Sequence, residues 1–169
     1  MRAKELIFVM LASALGACSG PSLQGGVYRA DDLAFRVGDL PPSYQPVDAG
    51  KGRLAFRDER ARSTILVNGR CGQDGDDVPL VALTNHLFMT FTEREILEQK
   101  VEPMDGREAL HTLMRAKLDG VAKSFDVYVL KKDGCVYDFI NISSPDAFDR
   151  ARPVFARFVL GFHTLSKED

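Results

Sequence analysis

Few residues in this chain could do chemistry. The histidines are His86, His111 and His163, and no two stand at the His-x-x-x-His or His-Glu spacing that lets neighbouring side chains share a metal. Each therefore reads as a surface or boundary residue. A catalytic role would need a cleft in which His86 or His111 meets a carboxylate within hydrogen-bond reach. Asp74, Asp76 and Asp77 could offer oxygen ligands to Ca²⁺, but the spacing of an EF-hand loop and its closing glutamate are missing. A solvated loop ahead of a helix is the plainer reading. The sequence has no Gly-x-Ser-x-Gly elbow, phosphate loop or dinucleotide fingerprint, and neither Cys71 nor Cys135 has a Cys-x-x-Cys partner. These residues point away from an enzyme and ask for no cofactor. One group suggests binding instead. If its segment is extended, Arg107, His111, Arg115 and Lys117 form a basic row that could dock an acidic partner; a solvated polar face is the plainer reading, and in a two-sided sandwich a helix would cover it.

Whether that row exists depends on the elements around it. Asp105-Gly106, Asp119-Gly120 and Asp133-Gly134 follow one another at intervals of fourteen residues. Asp-Gly suits the type I′ turn, whose two central residues need φ > 0. The segments between are too short for crossovers between parallel strands, so they predict an antiparallel meander. Val121, Phe125, Val127 and Val129 alternate with Ala122, Ser124, Asp126 and Tyr128, which is a strand pattern. Arg107 to Leu118 fits a capped helix equally well, but the next strand needs a neighbour, and that favours a strand.

Upstream, Leu33–Val37, Arg53–Arg57 and Ser63–Asn68 read as strands, the third central in the sheet. Pro79 opens a helix to about Phe91, with Leu80, Leu83, Leu87 and Phe91 on one stripe. Glu95–Pro103 reads as a fourth strand, although Thr92 and Glu95 also suit a capping box, and the meander follows with Cys135–Ile142 as its last strand. Phe148, Ala151, Phe155, Phe158, Val159 and Phe162 recur at helical spacing, so the closing segment lies face-down on the sheet. Pro153 predicts a short turn and a fresh helix near Arg152. His86 and His163 then fall on helices.

The amino terminus is different. Arg2 and Lys4 precede an apolar run from Leu6 to Leu15, too short for a membrane-spanning helix but right for a secretory signal. Leu15-Gly16-Ala17-Cys18 resembles the lipobox of bacterial lipoproteins. The resemblance implies cleavage after residue 17, a lipid on Cys18, and, by the enteric sorting pattern with Ser19 next, an outer-membrane address facing the periplasm. Residues 18–26 would be a lipidated cysteine and a short flexible tether, and 27–169 a single domain. Eight tether residues reach about 26–29 Å at most, so the partner should be a membrane-proximal envelope protein. With Cys18 lipidated, Cys71 and Cys135 remain in an oxidising compartment. A disulfide between them is the economical reading, with two thiols too far apart to bridge as the alternative.

At 169 residues, 45% hydrophobic and 27% charged, the chain suits one globular domain. Its net charge of −2 gives no basic surface for nucleic acid, and the mature chain, without Arg2, Lys4 and Glu5, carries −3. The lipobox, the antiparallel sheet, one early helix, the Gly106-Arg107-Glu108-Ala109 corner and the Phe155-x-x-Phe158-Val159-x-x-Phe162 helix together resemble the PsbP-like fold. Mog-type Ran-binding proteins and DcrB-type envelope lipoproteins are related to it. The resemblance implies an α+β domain, an antiparallel β-sheet with helices packed on it as an α/β/α sandwich, and a role in binding or assembly; no catalytic residues come with it. The expectation is a lipid-anchored, non-catalytic accessory or scaffolding module of a membrane-proximal complex. The alternative is a small apolar-ligand or lipid-binding accessory of an envelope transport system, which would need a cavity beneath the Phe155–Phe162 helix.

Overall fold

The computed structural model describes residues 22–30, 33–50, 53–72 and 78–166. Cys18, the signal segment and Asp74, Asp76 and Asp77 lie outside the described residues. The three Asp-Gly corners turn as their composition requires. Asp105, Asp119 and Asp133 have φ of 47°, 50° and 52°, and Gly106, Gly120 and Gly134 follow at 74°, 79° and 72°. Glycine takes that region freely and aspartate tolerates it, so each corner closes a tight hairpin.

In chain order the strands are β1 (Ser22–Gln24), β2 (Val27–Ala30), β3 (Leu33–Arg36), β4 (Gln45–Val47), β5 (Arg53–Asp58) and β6 (Ser63–Cys71). Helix α1 (Leu80–Leu87) precedes the meander β7 (Thr92–Met104), β8 (Arg107–Leu118), β9 (Val121–Lys132) and β10 (Cys135–Ser143). Helix α2 (Phe148–Leu160) and β11 (His163–Thr164) close the chain. Strands β4 to β10 form one antiparallel sheet in the order β4-β5-β6-β10-β9-β8-β7, and β1-β2-β3-β11 form a small second sheet. Arg107 to Leu118 is thus a strand, and the expected α+β sandwich is the observed one.

Alternation sends side chains to two cores. On one face Phe125, Val127, Val129 and Met114 pack with Leu83 and Phe88 from α1 and the turn after it. On the other, Ile65, Val67, Leu130 and Phe139 meet Phe155, Phe158 and Phe162. The small sheet lies beside α2 on this second face, where the Phe35 ring approaches Tyr137 and Phe162 at 5.9 and 5.8 Å. Gly69 of β6 makes room for the small sheet, because a Cβ there would come within 2.7 Å of a Leu33 methyl and that side chain would have to shift. The Phe stripe of α2 is core. Phe139 and Phe162 meet edge to face at 4.9 Å, and Phe56 and Phe158 at 6.0 Å.

Four expectations need correction. The turn before Pro153 does not form, and α2 runs unbroken from Phe148 to Leu160. Pro153 stands exposed in the second helical turn, and the carbonyl it cannot bond belongs to exposed Asp149, where water can take it. The first helix stops at Leu87, and β7 begins at Thr92 because Thr92 already pairs with Lys117. His163 is on β11, opposite Arg36, not on a helix. Residues expected to be tether contribute a strand, since Ser22 to Gln24 pair with Val27 to Arg29.

Strand β7 is one outer edge of the large sheet, and it is not a flat one. Two register shifts interrupt it, between Thr92 and Glu95 and between Ile96 and Glu98, with Glu93 at φ 49° in the first. Pro103 removes one donor, and Glu93, Glu95, Glu98, Lys100 and Glu102 line it with charge.

Candidate functional site

The Asp119-Gly120 hairpin fixes which side chains of β8 and β9 meet. Leu118 pairs with Val121, so His111 falls opposite Tyr128 and Leu113 opposite Asp126. His111 and Asp126 are diagonal neighbours on the face beneath α2. The His111 Nε2 lies 2.7 Å from Asp126 Oδ1. The imidazole is stacked on the Tyr128 ring, with centroids 4.0 Å apart and planes 7° from parallel. Arg152 of α2 reaches down to put its Nε 3.5 Å from the other Asp126 oxygen. The second imidazole nitrogen faces Glu102 Oε2 at 3.5 Å without making a hydrogen bond.

Electrostatics bind this group to the edge strand. Lys100 places its Nζ 2.8 Å from Glu102 and 3.0 Å from Glu98. Its ammonium lowers the pKa of both carboxyls, and they raise its own. Burial pushes the Tyr128 phenol well up, and the nearby charges of Asp126 and Glu102 add to that, so Tyr128 remains a protonated donor.

Pairing a histidine with a carboxylate is half of what general-base chemistry needs. The other half is an open nitrogen beside a reacting group. His111 is only 5% exposed and Asp126 3%, and among the described residues no hydroxyl or thiol is hydrogen-bonded to the imidazole. The pair ties helix α2 to the sheet and, through Glu102, to its edge strand, and both members are buried.

The expected basic row is therefore broken. Arg107, His111, Arg115 and Lys117 do share the α2 side of β8, but His111 is buried, stacked on Tyr128 and paired with Asp126. Arg107 and Arg115 are exposed, about 27 Å apart at strand rise. Arg115 pairs in register with Glu95, and Lys117 donates to Glu93 at 2.7 Å. A glutamate of β7 thus pairs with one member of the row, Lys117. His86 lies exposed on α1, beside an open groove of about 690 Å³ between α1 and β7 to which Phe88, Met89, Ile96 and Met114 contribute.

A second polar centre was not visible as such in the sequence. Asp105, the first residue of the β7–β8 turn, accepts from the Thr164 backbone N–H at 2.9 Å and its hydroxyl at 3.0 Å, and lies 3.0 Å from His163 Nδ1. Lys132 Nζ is 2.8 Å from the same carboxylate. One side chain so fastens the small sheet to the large one. Burial works to raise the Asp105 pKa, but the bonds from Lys132, Thr164 and His163 outweigh it and bring it down to about 2. A depressed carboxyl stabilises the fold above its unfolded pKa, and the contribution is lost as pH falls from about 4 toward 2. Asp105→Asn keeps a residue that tolerates the turn. It is expected to cost about 2 kcal/mol in urea unfolding at pH 7, and the gap should close near pH 2.

Comparison with known proteins supports the architecture. No family model matches the chain, and no curated protein matches it in sequence. Solved structures do. The yeast (Saccharomyces cerevisiae) Ran-binding protein Mog1p is 11% identical with a TM-score of 0.59, covering 85% of this chain and 93% of its own. Cyanobacterial PsbP (CyanoP) from Synechocystis sp. PCC 6803 is 17% identical with a TM-score of 0.56, covering 89% and 99%. LpqN of Mycobacterium tuberculosis, described as involved in cell envelope biogenesis, is 11% identical with a TM-score of 0.56, covering 86% and 90%. The chain also spans 46% of the length of a longer Bacteroides thetaiotaomicron protein. At these identities the likeness speaks for the fold. The chain has the PsbP-like, Mog-type fold.

Proposed function

We propose that this chain is a lipid-anchored envelope lipoprotein that serves as a non-catalytic accessory module for a membrane-proximal protein complex. One observation carries the placement: Cys71 and Cys135 stand directly opposite each other on β6 and β10 and are joined by a disulfide. Such a bond persists in an oxidising compartment, where the lipobox ending at Cys18 would deliver the chain. The CyanoP and LpqN likenesses agree with an extracytoplasmic setting. The sealed His111–Asp126 pair supports a binding role over a catalytic one.

The apolar-ligand alternative asked for space under α2. Phe155, Phe158 and Phe162 are fully buried against the sheet and the small sheet, which favours the scaffolding reading. The test of anchoring is direct. Cys18→Ser should move the protein from the membrane pellet to the soluble fraction of fractionated cells, and a variant that still pellets with membrane would sink the reading.

A further inference from the structure

The α2 layer has an outer surface as well as a core. Its helix shows Arg150, Arg157 and Leu160 to solvent, Leu160 being 80% exposed. The small sheet beside it shows Arg29 and Arg36. The two are joined without a gap. Gly38, just after β3, donates its N–H to the Phe158 carbonyl, and a Cβ on Gly161 would fall 2.4 Å from Gly38. None of the four arginines makes an ion pair among the described residues; against them stand exposed Asp149 on α2 and exposed Asp39 just after Gly38. The layer is thus locally basic although the whole chain carries −2.

Where the chain leaves this layer matters. Ser22 opens β1, the outer strand of the small sheet, and pairs with Arg29. Cys18 stands four residues earlier, so its Cα, the point from which a lipid would hang, could be no more than about 14 Å from that of Ser22. From these placements we infer that the outer surface of the α2 and small-sheet layer rests on phospholipid headgroups. Arg29, Arg36, Arg150 and Arg157 bind lipid phosphates, and Leu160 enters the interface. Guanidinium groups take phosphate oxygens in pairs, so zwitterionic lipids also serve, and an exposed leucine amid arginines suits the headgroup boundary. Helix α1 covers the opposite face of the large sheet, so the groove between α1 and β7, lined in part by Arg94 and His86, points away from the bilayer.

The inference rests on the lipidation reading, and the experiment keeps the two apart. Lipidated protein carrying a fluorophore at Val27→Cys or at Val81→Cys is reconstituted in vesicles of phosphatidylethanolamine and phosphatidylglycerol, with a nitroxide on a fraction of the headgroups. Quenching should be at least threefold stronger at residue 27, on the small sheet, than at residue 81, on α1. The charge-reversed form R29E/R36E/R150E/R157E should stay in the membrane fraction and lose at least half of the quenching at residue 27. Equal quenching at both positions, or no change on charge reversal, overturns the docking face while leaving the lipid anchor intact. Wild-type protein that does not fractionate with membrane overturns both.

Discussion

Reducing the Cys71–Cys135 disulfide should lower the unfolding free energy by roughly 4 kcal/mol, the cost expected from freeing a closed loop of this length. The two cysteines are 64 residues apart, and the loop between them holds α1, β7, β8 and β9. Without the bridge, the unfolded chain regains the freedom of that whole segment. The folded chain changes little, because β6 and β10 stay paired over nine residues from Ser63 to Cys71. The effect should therefore appear as a drop in Tm of about 10 °C for a chain of this size. Cys71→Ser/Cys135→Ser should reproduce it, with the shift absent when reductant is added to that variant. Equal melting with and without reductant would mean that the bridge does not hold the fold.

The other large effect lies at the buried pair. Asp126→Ala should cost about 3 kcal/mol, because it leaves His111 under α2 without the acceptor its Nε2 faces and removes the carboxylate that Arg152 approaches. Replacing both members with apolar residues of similar size, as in His111→Leu/Asp126→Leu, should cost much less than the single change. Removing both leaves no imidazole without its acceptor, and Arg152, which is part-exposed, can turn to water. Urea unfolding of the three proteins decides the matter. A double variant as unstable as Asp126→Ala would contradict a purely structural pair and reopen a chemical role for His111.

Much of this was open to sequence reasoning, and the parts that were not share a cause. The meander was legible because its turns are local, and Asp-Gly at each corner dictates both turn type and register. Counting back from Leu118 and Val121 would have placed His111 opposite Tyr128 and within reach of Asp126. The alternation of β8 was read with the right parity, but not what covered each side. Whether Arg107, His111, Arg115 and Lys117 make a patch depends on α2 and β7, and α2 arrives from elsewhere in the chain. The Asp105 centre is of the same kind, since Thr164 lies 59 residues away in sequence. Pro153 misled for a local reason. Its cost depends on whether the carbonyl it strands is wet, which periodicity alone does not report.

Edge strand β7 has a consequence for crowding. Proteins held on a membrane by one end meet their own copies at the high effective density of a plane, and a bare thirteen-residue ladder would invite them to zip together. The kinks near Glu93 and Leu97, the missing donor at Pro103 and the run of carboxylates each make such stacking unfavourable. Copies of a chain anchored as proposed would then not pair along this edge.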